Sequence, residues 1–525
     1  MNSSRLVIVS VIATLALGAG AGVLFGKKAT EPDETDVARR TAILTRTVLS
    51  WYPTEPDSES LVYAGIERML EQLDPHSNFL EPKVFRKMRE RQEGSFFGVG
   101  IIISRRAGKV TVIAPIAGTP AARKGIRAGD VISAVDGDPT EEMTLDEFVD
   151  RVRGPEGTTV HLTIQRPGFD EPLELDIERT RIPTNSVRYA FMLTPDTGYV
   201  LLSEFSNTSP AEIDAALRKL EADGMRHLIL DLRDDPGGAL EAAIEVSDRF
   251  LEKGMLIVST KGRAPGNNAE YRAPGGGVRY HGPLTILVNT GSASASEIVS
   301  GAVQDHDRGL IVGEPTWGKG LVQTVYTIRD AGLALTTARY YTPSGRCIQR
   351  DYDSFIDYMM HRNGEDETGP VYHTETGRPV RGGGGIHPDV TVEARKLSEE
   401  VAILYGKSAF FRFAIELLKD VPEKEKQAFA RKLTVDDLVL ARFRKFVLGA
   451  DILDEEEWKK LAADPQAIDD VRRAIRVEVL NSGVGLEAGY REAITGDNQV
   501  AEALAHADEA ERLWEGWVER HGDGS

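Results

Sequence analysis

Apolar positions along the chain change their spacing several times. Between 37 and 92 they recur at helical intervals, as in 61-LVYAGIERMLEQL-73, where Leu61, Ala64, Ile66, Leu70 and Leu73 gather near one face and Asp74-Pro75 marks a stop. From Gly94 short β-type runs take over, 99-VGIIIS-104, 110-VTVIAP-115, 131-VISAVDG-137 and 159-TVHLTIQ-165, with one helical interruption at 144-TLDEFVDRVRG-154. That texture predicts a compact β-rich module. From about 190 strands alternate with helices: 198-GYVLLSEF-205, 210-PAEIDAALRKLEAD-223, 227-HLILDLR-233, 238-GALEAAIEVSDRFLE-252 and 284-LTILVN-289. Such alternation predicts βαβ units and a largely parallel sheet. Beyond 395 the spacing is helical again, in 399-EEVAILYGKSAFFRFAIELLKD-420 and 434-TVDDLVLARFRKFVLG-449, with Thr434 and Asp437 as a capping pair. The pieces 274-PGGG-277 and 382-GGGG-385 read as mobile loops.

The extreme N-terminus adds a different pattern. Residues 6-LVIVSVIATLALGAGAGVLFG-26 are uncharged and mainly apolar, between Arg5 and Lys27-Lys28, a length that spans a bilayer. Ala19-Gly20-Ala21 fits a signal-peptide cleavage site, but the apolar stretch runs past it, which favours a retained anchor. Composition narrows the rest. At 41% hydrophobic and 28% charged, the 525-residue chain reads as globular, and a net charge of −19 argues against nucleic acid as a partner. The single cysteine, Cys347, excludes an intrachain disulfide and a cysteine-based zinc site.

Candidate chemistry starts in 290-TGSASASEIVSG-301, which packs four serines directly after an apolar run. Only Ser294 is followed three residues on by a carboxylate, Glu297, giving a Ser-x-x-Glu capping box ahead of Ile298, Val299, Ala302 and Val303. As a plain N-cap Ser294 would contribute about 1 kcal/mol. The same helix N-terminus concentrates free N–H groups and positive potential, which suits a developing oxyanion. No G-x-S-x-G or H-E-x-x-H motif occurs, and His306 lies in the charged run 304-QDHDR-308, where it reads as an exposed helix-end residue. Lys319, in 313-GEPTWGKGLVQTVYTI-328, is the alternative base, because burial lowers a lysine pKa toward neutrality. A lone lysine in a glycine loop is otherwise a solvated side chain.

Together, 231-DLRDDPGG-238, 291-GSASASEIVSGAVQD-305, 313-GEPTWGKGLVQT-324 and 340-YYTPSGRCIQ-349 resemble the carboxy-terminal processing (tail-specific) peptidases, serine proteases with a Ser/Lys dyad and an embedded PDZ domain. The resemblance runs from about 38 to 395. It implies a multidomain α/β and β chain: a crotonase/Clp-protease-like α/β protease core with an inserted PDZ domain, an N-terminal helical cap and a C-terminal helical extension. The segments follow as 1–28 (signal anchor or signal peptide), 29–92 (linker and helices), 93–180 (PDZ), 181–395 (protease core) and 396–525 (extension). It also places the nucleophile on Ser294, the general base on Lys319, a lysine-orienting role on Gln323, and the oxyanion hole on the N–H groups of Ala295 and of Gly237 or Gly238. Gln323 lies about 13 Å along a straight strand from Lys319, so that contact requires a bend. Asp235 stands where the family often has Asn, and Trp317 where Phe is usual.

In the β-rich module, 96-FFGVGIII-103 resembles a PDZ carboxylate-binding loop. The N–H groups around Val99, Gly100 and Ile101 would form a nest for a terminal carboxylate, and the strand edge would pair with an extended peptide. Ile101, Ile103, Leu145, Phe148 and Val149 would line the pocket for the last side chain, and plain core is their alternative role. Arg153 is a candidate switch residue, or a solvated helix-end arginine. The expected function is a serine endopeptidase that captures protein C-termini and hydrolyses exported or partly unfolded proteins, without metal or organic cofactor. A non-catalytic PDZ-containing scaffold is the alternative. The expected setting is the bacterial cell envelope, anchored in the inner membrane facing the periplasm or exported to the periplasm, and the C-terminal helices would serve a homo-oligomer or an adaptor.

Overall fold

The computed structural model describes residues 34–106, 108–351 and 369–522. The apolar segment 6–26 and most of 351–380 lie outside them, and no described helix is long and apolar enough to cross a membrane. The chain divides into two compact units, Met1–Glu81 and Pro82–Ser525. In the first, helices Glu34–Trp51 and Ser58–Leu70 carry the helical spacing. The second helix ends at Leu70, and the Asp74 carboxylate closes the following turn by accepting the N–H groups of His76 and Ser77 at 2.8 Å each.

In the second unit, the β-rich module is an antiparallel sheet in the order Ile101–Arg106, Lys109–Pro115, Val131–Val135, Thr159–Gln165 and Leu173–Glu178. Its alternating apolar positions, Val110, Val112, Ile132, Val160, Leu162 and Ile164, are fully buried and pack on helix Leu145–Val152 through Phe148. A Thr144/Glu147 capping box starts that helix.

The larger sheet runs Val187–Met192, Thr197–Leu202, His227–Asp231, Leu284–Val288, Leu310–Gly313 and Val390–Thr391, parallel after its first, antiparallel pair. Its central strands are buried on both faces, the reason they read as continuous apolar runs. Leu228, Leu230, Ile286 and Val288 face helices Ser209–Ala222, Leu240–Asp248 and Ala295–Asp305. Ile229, Leu287, Leu310 and Val312 face Val500 and Ala503 of helix Asn498–Ala505. The end of the helical extension therefore covers the back of this sheet. Beside it, strands Leu321–Ile328 and Ala331–Tyr341 form an antiparallel hairpin that continues into Leu256–Gly262 and Ala269–Arg272.

Several local expectations change. The run 399–420 is two helices, Glu399–Gly406 and Ala409–Leu418, broken where Ser408 takes a φ of +54°. Helix Asp437–Gly449 is capped by Asp436, whose carboxylate accepts the Val439 N–H at 3.0 Å, rather than by a Thr434/Asp437 pair. The glycine runs are pinned by hydrogen bonds. Gly275 and Gly276 donate to the buried Asp248 carboxylate at 2.7 and 2.8 Å, and Gly383 and Gly385 donate to the carbonyls of Cys347 and Ile348.

Candidate active site

Two adjacent parallel strands end side by side, and the chemistry gathers at their carboxyl ends, where open α/β sheets place ligands. Strand Leu284–Val288 leads into the serine turn and helix Ala295–Asp305; strand His227–Asp231 leads into 232-LRDDPGG-238. The two turns are stitched together. The Asp235 carbonyl accepts the Ala293 N–H at 3.0 Å and the Ser296 hydroxyl at 2.9 Å, and the Ser292 hydroxyl donates to the Leu232 carbonyl at 2.8 Å.

These bonds separate the four serines. Ser292, Ser296 and Ser300 are buried with their hydroxyls engaged, Ser300 on the Ser296 carbonyl at 2.7 Å. Ser294 alone of the four is only half-buried. Its backbone sits at φ +54°, ψ −108°, a strained conformation for a residue with a Cβ. The carboxylate half of the capping box carries the contact: Glu297 Oε2 accepts the Ser294 N–H at 2.8 Å.

Glu297 does more than the box requires. It is fully buried and also accepts the Lys319 N–H at 2.9 Å, the Gly318 N–H at 2.8 Å and the Thr316 hydroxyl at 2.6 Å. One Oε2 thus holds the backbones of Ser294 and Lys319 together. Burial pushes the Glu297 carboxyl above its ordinary value, against those four donors. Lys319 is half-buried, and desolvation lowers its pKa from the ordinary lysine value, with the Glu297 charge opposing. The lysine loop rests on the tetraglycine segment: a Cβ at Gly385 would fall 2.6 Å from the Thr316 carbonyl oxygen. Gln323 lies on the strand that leaves this loop, next to a register shift between Val322 and Gln323, an irregularity in the strand where a bend is required.

Gly237 packs against the serine turn so closely that a Cβ there would lie 2.8 Å from the Ala295 nitrogen and 2.9 Å from Ser294 Cβ. Its own N–H donates to Asp235 Oδ1 at 2.8 Å. Among the described residues neither the N–H of Ala295 nor that of Gly238 has a hydrogen-bond partner. Of the two glycines left open by the sequence, Gly238 is the one with a donor to offer.

His306 is not an exposed helix end. It terminates the serine helix, but its imidazole contacts the Leu256 carbonyl at 2.7 Å and the Glu375 carboxylate at 3.2 Å, leaving neither ring nitrogen for Ser294. Sequence reasoning also overlooked Asp231 and Arg233. The Arg233 guanidinium pairs with Asp231 at 2.6 Å, Asp497 at 2.7 Å and Gln499 at 2.8 Å, and Tyr199 bridges Asp231 to Tyr490. The catalytic-side turn is thereby tied to the C-terminal helices, a link of more than 260 positions that no local spacing signals.

In the β-rich module, Phe148 is 1% exposed and takes its alternative role as plain core, and the Val99 side chain is buried beside it. Ile101, Ile103, Leu145 and Val149 are partly buried beside that core, and strand Ile101–Arg106 is an outer strand of the sheet. Gly100 has a φ of +82° and leaves no room for a Cβ, which would fall 2.4 Å from Thr119 Cβ. Arg153, at the helix end, pairs with Glu90 at 2.7 Å and lies 4.1 Å from the Phe96 ring centroid; it is not simply solvated.

Residues 196–353 match the model of a family described as peptidase family S41, and residues 111–166 match a PDZ domain model. A carboxy-terminal-processing protease of Bartonella bacilliformis is 43% identical over 307 residues, covering 58% of this chain and 70% of the relative. A carboxyl-terminal-processing protease of Synechocystis sp. is 37% identical over 297 residues, covering 55% and 68%. Among solved structures, a photosystem II D1 C-terminal processing protease is 30% identical and matches 69% of this chain and 89% of its own, with a TM-score of 0.36.

Proposed function

The chain belongs to peptidase family S41, the carboxy-terminal-processing serine proteases, and carries a PDZ domain; from that premise we propose that it is an endopeptidase working through a Ser294/Lys319 dyad. The observation that carries this reading is the buried Glu297 carboxylate, which joins the backbone of Ser294, the one serine of the turn that is not fully buried, to that of a desolvated lysine. Lys319, neutral at rest, takes the Ser294 proton during attack on the scissile carbonyl. It then protonates the leaving amine and activates water for deacylation. The N–H groups of Ala295 and Gly238 stabilise the oxyanion, with the serine helix adding positive potential. Gln323 orients the lysine.

The PDZ domain captures the substrate's C-terminus. Its terminal carboxylate sits on the N–H groups of Val99, Gly100 and Ile101, its strand adds to Ile101–Arg106, and its last side chain lies among Ile103, Leu145 and Val149. Arg153 reports occupancy to the protease side. The substrates are exported or partly unfolded proteins met in the bacterial cell envelope, with residues 6–26 as anchor or export signal and the C-terminal helices available for assembly with a second copy or an adaptor.

The test is to incubate the full-length chain with an unfolded reporter ending in apolar residues, beside Ser294→Ala and Lys319→Ala variants. Cleavage by the parent alone is expected. Equal cleavage by all three removes the dyad, and cleavage by none favours a peptide-binding scaffold.

A further inference from the structure

Asp235 is a fully buried carboxyl that peptide hydrolysis by a Ser/Lys dyad does not use. Its Oδ1 accepts the Gly237 N–H at 2.8 Å, while its Oδ2 is buried without a hydrogen-bond partner among the described residues. Its backbone carbonyl is the acceptor through which the glycine turn is fastened to the serine turn, by the Ala293 N–H and the Ser296 hydroxyl. Burial is the leading influence on the side chain and pushes its pKa well above the ordinary carboxylate value, with the Gly237 N–H acting in the opposite direction.

The consequence falls on the next peptide. The Gly237 carbonyl accepts the Phe205 N–H at 3.0 Å, and no peptide bond in the described chain is cis. In a trans peptide the N–H points opposite to the C=O. With its carbonyl directed to Phe205, the peptide between Gly237 and Gly238 turns the Gly238 N–H away from Phe205. Gly237 itself abuts Ala293, Ser294 and Ala295. At a φ of +94°, Gly237 has a soft backbone, and the Asp235 bond fixes the rotation on its N-terminal side as Phe205 fixes it on the other.

We propose that Asp235 is a positioning residue for the oxyanion site: by engaging the Gly237 N–H through Oδ1, it holds the glycine turn in the orientation that offers the Gly238 N–H, beside that of Ala295, to the carbonyl oxygen attacked by Ser294. This rests on the peptidase reading above. Without the Oδ1 acceptor the Gly237 N–H is a buried donor without a partner, and the turn gains a reason to rotate toward another acceptor. Rotation displaces the Gly238 donor, which acts on the transition state rather than on ground-state capture.

The experiment compares parent, Asp235→Asn and Asp235→Ala in the full-length chain, measuring kcat and KM on the same reporter and the affinity of a peptide boronate that forms a tetrahedral adduct on serine. Asp235→Asn retains an oxygen acceptor and is expected to keep kcat within about threefold. Asp235→Ala is expected to lose about 10²-fold in kcat and in boronate affinity, with KM within about threefold. Should Asp235→Ala fail to fold, Asp235→Ser replaces it, with a loss between those two. An Ala or Ser variant with parental kcat overturns the proposal. So does an Asn variant that folds and is as slow as Ala, or a loss appearing in KM instead of kcat. A parent whose cleavage survives Ser294→Ala overturns the peptidase reading instead.

Discussion

The Ser294/Lys319 region and the PDZ region of this protease are built by opposite means. Around Ser294 and Lys319 polar groups are buried and mutually engaged: Glu297, Ser292 and Ser296 are all fully buried. Around the PDZ groove the polar contacts are open. Helix Pro82–Glu93 meets the groove helix through Lys83 with Asp150, Lys87 with Asp146, and Glu90 with Arg153, every partner more than a quarter exposed in its side chain. Buried, satisfied networks hold one geometry because breaking one bond strands a partner, whereas exposed ion pairs contribute about 0 to 1 kcal/mol and are screened by salt. Chemistry that needs placement to a fraction of an ångström sits on the first kind. The PDZ module, which binds peptide or protein, sits beside the second.

The largest expected effect is at Glu297. Replacing it with Ala strands four donors, from Ser294, Thr316, Gly318 and Lys319, and releases both members of the dyad. A fall of about 10³-fold in kcat/KM is expected, with at least about 3 kcal/mol of stability lost. Glu297→Gln is expected to do nearly as badly, because its NH2 would face N–H donors where Oε2 now accepts two. A Gln variant with near-parental kcat would show that the carboxylate network is not what registers the dyad.

Next come matched glycines. At Gly238 a Cβ would lie 2.0 Å from the Phe205 carbonyl oxygen, and at Gly100 it would lie 2.4 Å from Thr119 Cβ. Both Ala variants deform a turn, but in different places. Gly238→Ala is expected to lower kcat by about 10²-fold with KM little changed, and Gly100→Ala to weaken capture of a C-terminal peptide and raise KM while kcat holds. Steady-state kinetics with a peptide-binding titration separates them; the same kinetic signature from both glycines would erase the division of labour.

The pH profile sharpens the dyad half. Desolvation lowers the Lys319 pKa, and in the proposed mechanism the neutral amine is the base. On the acid side of that pKa, kcat/KM should rise about tenfold per pH unit, with a midpoint below the ordinary lysine value. The unfolded chain keeps the Lys319 proton to higher pH than the folded one, so between the two pKa values stability rises with pH. Lys319→Met removes the cost of holding a lysine away from water and is expected to raise Tm at neutral pH while abolishing cleavage. A lower Tm would mean that the lysine is held by favourable contacts as a cation.

How much of this was legible in the sequence depended on the distance between partners. The Ser-x-x-Glu spacing and the alternation of strands and helices are local, and the turn, the sheet and the serine stand where those patterns predict. The second task of Glu297 was hidden, because Thr316, Gly318 and Lys319 reach it from a loop about twenty residues on. Glycine runs misled for the same reason: PGGG and GGGG signal backbone freedom, but the acceptors that consume it, Asp248 and the carbonyls of Cys347 and Ile348, lie elsewhere in the chain. Phe148 was assigned to a groove because an apolar residue beside a binding site has the same sequence pattern as one beneath it. Only burial, 1% exposed for Phe148, distinguishes the two.

The smallest expected effect tests whether the two halves communicate through Arg153. Its pair with Glu90 at 2.7 Å has side chains 33% and 27% exposed, and its guanidinium lies over Phe96, contacts worth about 0.2 to 1 kcal/mol each at such sites. A double-mutant cycle of Arg153→Ala and Glu90→Ala, read in kcat and in KM at low and at high salt, should therefore give a coupling below about 1 kcal/mol. That coupling should appear in KM and shrink with salt. If Arg153 instead conducts PDZ occupancy to the dyad, the coupling will appear in kcat and exceed that bound. It will also vanish with a substrate too short to reach the groove, since an empty PDZ domain has nothing to transmit.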